Sequence, residues 1–424
     1  MKPSMLSVEG LKTAVSRLPD DALSATRAVA LANLDEHGLP TVRHEDWKYT
    51  DLRPAIDISN RWLADGALGP TAGDISATIA SATRSIDADW LVIANGTIDM
   101  SYFNSSRGIE VERFSESAAP FVMDRPLADL NAALLQDGLR VRVHAATEKP
   151  LGLLIIDNAH SGAAVSQANV EIMVAPGCDV EIIEYQTSSG RGDHYANSVV
   201  TMDIGEAART GYVRIQERRI GHVQTGRLSV TVGKDARFAM ASYDLGGGLV
   251  RNDVDIDLGA TGADLVCNGL YLAGDGQHID NHIRIDHRVG PATSSQEFRG
   301  ILNGRCRCVW NGKAIVHKGA DGTDAKQANH NLLLSEHAEI NAKPELEIYA
   351  DDVKCSHGTT VGQLDEAALF YLRSRGLGKH EAIQVLTRAF AADLVGRAPV
   401  NAAKTLIAAR VDARLAELTL EPTS

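Results

Sequence analysis

The chain has 424 residues, of which 44% are hydrophobic and 23% are charged, a composition that allows a large buried core. Its formal net charge is -13 and its acidic and basic residues are interspersed, which argues against sequence-independent binding to nucleic acid or an anionic membrane. We see no apolar stretch of bilayer-spanning length and no signal peptide, so we expect a cytoplasmic protein.

Residues 1–139 are predicted to form a mainly helical region. Apolar residues recur at helical spacing in the first part of this region, and a further helix is expected from about Leu127 to Leu135, closed by Gly138. Between these helices, Trp90–Ala94 has the composition of a strand. The pattern leaves the partner of that strand open.

Residues 140–362 are predicted to form a β-helix core. Short segments with alternating apolar residues follow one another there, and none has the pattern of a long amphipathic helix. Segments such as VTMDIG and VDIDLG end in glycines spaced by 28, 28 and 26 residues, which we expect at equivalent turns of successive coils: Gly177, Gly205, Gly233 and Gly259. One such unit cannot bury its own apolar face, so a mainly β fold of stacked parallel coils is predicted. An irregular β-sandwich is the alternative.

Residues 363–424 are predicted to form a C-terminal helical domain. Two segments, LDEAALFYLRSRG and GKHEAIQVLTRAFAADLVG, have amphipathic patterns with charges that suit the helix dipole, and a weaker helix is expected from about Ala402 to Leu418. Such helices must pack together, cap the solenoid or offer a face to a partner. The apolar stripe expected on the second helix consists of Ile383, Leu386, Phe390 and Leu394.

The sequence lacks the motifs of several enzyme classes. A phosphate-binding loop is missing, because Gly378-Lys379 has neither the upstream glycine nor the following hydroxyl residue, so ATP hydrolysis by this chain is not expected. We also find no nucleophile elbow, no zinc-binding His-Glu-x-x-His helix and no paired Cys-x-x-Cys motif.

The segment VKCSHG, residues 353–358, is the strongest candidate for chemistry. If it is extended, Cys355 and His357 point to the same face of the strand. A thiolate beside an imidazole suits iron, zinc or copper(I), but two ligands are too few for a metal or cluster. This predicts a site completed by another element or another chain. The alternative is a buried thiol beside a hydrogen-bonded histidine.

Other cysteines, histidines and aromatic residues are weaker candidates. The five cysteines are sparse and odd in number, so we expect them to be reduced thiols. For the Cys-x-Cys pair, Cys306 and Cys308, we favour a position on a solenoid face over a metal site. The segment HEDWKYTDLRP is expected to anchor the N-terminal region through its aromatic residues. Three histidines are separated by four and five residues, a spacing that we expect to place them on different strand faces: His278, His282 and His287. We therefore favour hydrogen-bonded positions over a three-histidine metal site.

Four segments of the chain resemble the SufB/SufD family of iron–sulfur cluster assembly proteins. They are HEDWKYTDLR, QHIDNHIRIDHRVGPATSSQEFRGIL, TDAKQANHNLLLS and KPELEIYADDVKCSHGTTVGQLDEAALFYLRSRGL, in the family's order. The KCSHG run followed by VGQLD resembles the SufD branch. The resemblance implies a right-handed parallel β-helix core between helical regions, in a non-catalytic scaffold subunit of a SufBCD complex.

The resemblance also implies partners and a site. A SufB-like subunit would pair along the β-helix, the SufC ATPase would dock on the C-terminal helices, and a homodimer is possible in isolation. Cys355 and His357 match the family positions at the interface with SufB, where a transient iron–sulfur cluster or iron would be held. Two alternative functions are a SufB-like sulfur-accepting scaffold and a carbohydrate-active β-helix enzyme. Flavin binding by the complex and its iron and electron donors are left open.

Overall fold

The computed structural model describes residues 5–66, 75–103, 107–117, 125–160 and 162–419. Its helices lie towards the two ends of the chain, and its strands occupy most of the middle. Short 3-10 helices cover Glu45–Trp47, Met100–Tyr102 and Asn401–Ala403. The α-helices are α1 Val8–Val15, α2 Ser24–His37, α3 Arg53–Ala64, α4 Ser76–Ser85, α5 Pro126–Leu134, α6 Glu366–Ser374, α7 Lys379–Gly396 and α8 Lys404–Thr419.

The strands form two long sheets, and from β4 onwards consecutive strands alternate between them. The first sheet contains β1 Asp89–Ala94, β2 Thr97–Asp99, β5 Leu151–Ala159, β7 Asp179–Gly190, β9 Arg209–Glu217, β11 Arg237–Asp244, β13 Asp264–Ala273, β15 Thr293–Leu302, β17 Thr323–Leu333 and β19 Val353–Gly362. The second contains β3 Ile109–Arg113, β4 Leu139–Val143, β6 Ala163–Val174, β8 Asp193–Ile204, β10 Val223–Val232, β12 Leu249–Leu258, β14 His278–His287, β16 Arg307–Val316 and β18 Glu339–Ile348.

This arrangement is a parallel β-solenoid of about seven turns with helices at both ends, as the sequence predicted. Each coil contributes one strand to each sheet, and neighbouring coils pair in parallel, so the chain does not form the alternative β-sandwich. Apolar side chains from both sheets fill the space between them along the solenoid. The solenoid is therefore held by contacts between adjacent coils, which is the energetic logic of repeat folds.

The predicted glycine repeat is correct at three positions and wrong at the fourth. Gly205, Gly233 and Gly259 directly follow the ends of β8, β10 and β12, whose last residues are paired in register. The position equivalent to Gly205 one coil earlier is held by Ala175, and Gly177 lies two residues further into the turn. Gly177 has φ +70°, so a glycine is favoured there by the left-handed backbone conformation and not by the repeat.

The N-terminal strand Trp90–Ala94 finds its partner in the solenoid. β1 pairs in parallel with β5 and antiparallel with β2, through a two-residue turn at Asn95 and Gly96 in which both residues have positive φ. The sheets therefore begin before residue 140, and the N-terminal region contributes the first strands. At the other end of the solenoid, β19 ends at Gly362.

Helices cover the outer faces of the two sheets. Leu394, Ile407 and Val411 of α7 and α8 are buried against residues of the first sheet, such as Ile215 and Leu270. On the second sheet, side chains of α1, α3 and α5 cover Val165, Tyr195, Val223 and Leu249.

Of the stripe predicted for α7, Leu394 is buried, and Phe390 packs against the same core while staying partly exposed. Ala382, Thr387 and Ala391 are also buried, whereas the other three predicted residues remain partly exposed. Small residues take the buried positions because they allow a helix to approach its neighbours closely, which the apolar pattern alone does not reveal.

A substitution in the turns tests the left-handed positions. Ala207 follows β8 by three residues, as Gly177 follows β6; it is exposed and has φ 57°. A non-glycine residue there is disfavoured by about 1 kcal/mol, so Ala207→Gly should raise the free energy of unfolding in urea by about that amount. Gly177→Ala should lower it by a similar amount. An Ala207→Gly protein that is no more stable than the parent would show that this backbone position carries no strain.

Candidate functional site

The candidate site lies on β19, the last strand of the first sheet. β19 pairs with β17 alone, and β18, the last strand of the second sheet, pairs with β16 alone. No further strand pairs with either one in the described part of the chain. Most residues of β19 are exposed, so the far side of this strand presents unpaired backbone N–H and C=O groups. The end of the solenoid is thus an open sheet edge.

Cys355 and His357 occupy the inward face of this edge strand. Their register partners on β17 are Ala325 and Gln327, which are both buried in the solenoid. Cys355 is partly buried and His357 is exposed, because no coil follows to cover them. The predicted extended segment is therefore present, and its two soft ligands point in the same direction.

The surroundings of the Cys355 thiol disfavour its ionisation. Burial raises the pKa of the Cys355 thiol above its ordinary value, and the nearby Asp324 carboxylate raises it further. A metal ion would have to displace the thiol proton on binding. Among the described residues, no group of three or more His, Cys, Asp or Glu side chains could hold a metal ion. A complete ligand shell at β19 would therefore need ligands from outside these residues.

The other cysteines lie inside the solenoid. Cys308 is completely buried and Cys306 nearly so, and the two thiols interact with each other. Burial raises the pKa of Cys308 well above its usual range, while the hydrogen bond from Cys308 lowers the pKa of Cys306. The favoured interpretation of this pair as a solenoid face agrees with their positions.

The three histidines of β14 do not converge. His278 and His282 lie on the outer face of the second sheet, where they contact Thr50 (Nε2 to Oγ1, 2.7 Å) and Asp280 (Nε2 to Oδ1, 3.1 Å), respectively. His287 faces the interior, and its Nε2 lies 2.9 Å from Ser294 Oγ. All three are hydrogen-bonded, as predicted, but only His287 lies on the opposite strand face, because an offset of four leaves His278 and His282 on the same one.

The HEDWKYTDLRP segment is anchored on the second sheet. The guanidinium of Arg251 stacks on the Trp47 ring at 4.3 Å from its centroid and donates to the Asp46 carbonyl at 2.9 Å. Arg251 is almost fully buried and also pairs with Asp280 at 2.7 Å. Although burial opposes ionisation, Arg251 and His282 hold the pKa of Asp280 well below its usual range. The sequence suggested the aromatic anchor but not its buried cation.

A second exposed surface lies on the C-terminal helices. α6 has no buried residue, and its Phe370 and Tyr371 side chains are 75% and 56% exposed. Val385 of α7 and Val361 at the end of β19 are also exposed. Two adjacent exposed aromatic side chains on α6 favour an interaction surface there. Sequence analysis placed helices here but did not identify which face stays uncovered.

The fold defines a class of protein: a β-solenoid with an open end that carries a cysteine and a histidine on one strand face. The profile of the SUF system FeS cluster assembly SufBD core domain matches residues 155–390. The chain belongs to the SufBD family of iron–sulfur cluster assembly proteins. In the described residues, no helix is both long and apolar enough to cross a membrane.

Individual relatives support the same assignment. The chain is 29% identical to the iron–sulfur cluster assembly protein SufD of Escherichia coli, over 91% of each chain. It is 28% identical to a SufBD family protein of Synechocystis, over 91% of this chain and 90% of the relative. It is 25% identical to SufD of Bacillus subtilis, over 72% of this chain and 70% of the relative.

Buried histidines predict how stability depends on pH. Burial lowers the pKa of both His287 and His194 to about 4, so the folded protein keeps them neutral while the unfolded chain protonates them near pH 6.5. The unfolded state therefore binds more protons between about pH 6.5 and 4, and stability falls as the pH drops through that window. Each histidine contributes up to about 1.4 kcal/mol per pH unit.

Urea unfolding at pH 7 and pH 5 measures this effect. His287→Gln can keep a hydrogen bond to Ser294 but cannot take up the proton, so its free energy of unfolding should fall less between the two pH values than that of the parent. His37→Gln, at an exposed helix end, should retain the parental difference. Identical pH dependence in His287→Gln and the parent would contradict this account.

Proposed function

We propose that this chain is a SufD-type scaffold subunit of a SufBCD complex, supporting iron acquisition and de novo iron–sulfur cluster assembly at its interface with a SufB-like subunit. The observation that carries the proposal is the open strand β19, with Cys355 and His357 on one face. The similarity to SufD proteins over most of the chain supports the same role.

A partner strand is the natural complement of this edge. Exposed backbone donors and acceptors on β19 would pair with an extended segment of the SufB-like subunit, as in β-strand addition. Such pairing would bring the partner's side chains against Cys355 and His357. The imidazole and the deprotonated thiol would then share a nascent cluster with the partner, and the cluster is the substrate of this assembly rather than a resident cofactor.

The state of Cys355 favours a scaffold role over a sulfur-accepting one. A sulfur acceptor needs a thiolate nucleophile, and burial raises the pKa of the Cys355 thiol, which disfavours that thiolate. We therefore assign no catalytic step to this chain. The energy of ATP hydrolysis would come from a SufC-type ATPase in the complex.

The exposed face of α6 is the proposed docking site for that ATPase. Phe370 and Tyr371 are aromatic, and exposed aromatic anchors often carry most of the binding energy of an interface. α6 begins four residues after β19 ends. The ATPase would therefore bind next to the strand that carries the cluster ligands.

The His357→Ala variant tests the cluster site. His357 is exposed, so its loss should change the free energy of unfolding by about 0.5 kcal/mol or less and should leave the complex intact. Cluster yield on the complex, measured by iron and acid-labile sulfide, should nevertheless fall strongly because one soft ligand is missing. Cys355→Ser should reduce the yield less.

His330→Ala is the matched control, since His330 lies on the neighbouring strand β17, where it contacts Thr360 and not the inward face of β19. It should assemble clusters like the parent, as should Cys306→Ser and Cys308→Ser. If the complex containing His357→Ala assembled clusters at the parental rate, β19 would be structural only and the proposed site would be wrong.

A double substitution tests ATPase docking. Phe370→Ala with Tyr371→Ala removes two largely exposed rings, of which Tyr371 is contacted by the Arg375 guanidinium at 5.2 Å from the ring centroid, so folding should be little affected while ATPase binding weakens about tenfold or more. Titration by isothermal calorimetry measures this change. Deleting residues 363–424 is a poorer test, because α7 and α8 also cover the first sheet.

Ile220→Ala removes another exposed apolar side chain, 56% accessible, in the turn before β10. This control should bind the ATPase with parental affinity. Equal affinity for the double variant and the parent would place the docking surface elsewhere on the chain.

A further inference from the structure

A cavity lies beneath the N-terminal helices, away from the proposed cluster site. Its volume is about 300 Å³, which is at the lower end of the range for small-molecule pockets. It is enclosed between α1, α3 and α5 on one side and β6 of the second sheet on the other. Its apolar wall consists of Leu18, Trp62, Leu134 and Val165.

Gln167 is the polar residue that distinguishes this cavity. It is only 5% exposed, and among the described residues neither its amide oxygen nor its amide nitrogen has a hydrogen-bond partner. A buried amide whose donor and acceptor are both unpaired destabilises the folded state, and buried polar groups normally have hydrogen-bond partners. Gly96 of the β1–β2 turn packs against the Gln167 backbone, where a Cβ would lie 3.1 Å from its carbonyl oxygen, so the residue is held in place.

The other polar side chains that line the cavity already have partners. Arg17 donates to the Gly66 carbonyl. Asn95 Oδ1 accepts from the Asn158 amide at 2.7 Å, and Gln136 Oε1 accepts from Thr97 at 3.3 Å. Arg17 is the one charged residue among the described lining residues, and it is exposed to solvent, so no buried charge in this lining favours an ionic ligand.

These features select a class of ligand. A free amide presents one donor beside one acceptor, which matches a ligand edge that carries an acceptor beside a donor, as in a lactam. The apolar wall with an indole favours a flat ring. We propose that this cavity binds a small, uncharged, planar lactam through paired hydrogen bonds to the Gln167 amide. The inference is independent of the proposed cluster site on β19.

Uracil is the probe for this site, and its 1,3-dimethyl derivative is the matched control ligand. Both have the same ring and carbonyl groups, but the dimethyl compound lacks the N–H donors. Calorimetric or NMR titration of the full chain should show binding of uracil, and dimethyluracil should bind about tenfold or more weakly, because it leaves the Gln167 acceptor unpaired.

Gln167→Leu is the decisive variant. It removes both unpaired atoms, so the free energy of unfolding should be unchanged or higher, while uracil affinity should fall about tenfold or more. Gln136→Leu lines the same cavity and should leave uracil affinity unchanged. A folded Gln167→Leu protein that binds uracil like the parent would overturn the proposal. Equal binding of the two ligands, or no uracil binding, would also overturn it. The same holds if a crystal structure of the uracil-soaked protein shows only water or other residues of the chain at the Gln167 amide.

Discussion

A single coil of a parallel solenoid cannot form the hydrogen bonds that its own backbone N–H and C=O groups need. Each interior strand of these sheets pairs with the coil before it and the coil after it, and the apolar interior is closed only by stacking. At the start of the solenoid, the β1–β2 hairpin and β3 pair with the first coils. At its end, β18 and β19 lack such a partner within the described residues. The proposed function follows from this unpaired edge, which carries Cys355 and His357.

The helical regions are fixed to the solenoid by polar contacts as well as by apolar packing. On the first sheet, Arg299 donates to the Phe390 carbonyl at 2.7 Å and pairs with Asp393 at 3.0 Å. On the second sheet, Arg251 joins the Trp47 segment to β14 through Asp280. Of the described α-helices, α6 alone has no buried residue, and it carries the proposed docking face.

Much of the fold could be predicted from the sequence, because alternating apolar residues and turn glycines are local signals. The strand at 353–358 and the shared face of Cys355 and His357 also follow from a two-residue periodicity. The exact repeat could not be predicted, because residue type alone aligns Gly177 with Gly205. Gly177 instead meets a different backbone requirement, a positive φ. The partner of β1, the cation under Trp47 and the orphaned amide of Gln167 depend on contacts between distant segments, which a single sequence does not encode in any local pattern.

Hydrogen–deuterium exchange of β19 tests the central claim most directly. The amides of β19 that do not bond to β17 should exchange rapidly in the isolated chain, because they face solvent at the sheet edge. In the complex with a SufB-like subunit they should become strongly protected, while the amides of the interior strand β13 stay protected in both states. If the complex forms and the β19 amides exchange as fast as before, the open edge is not where the partner binds.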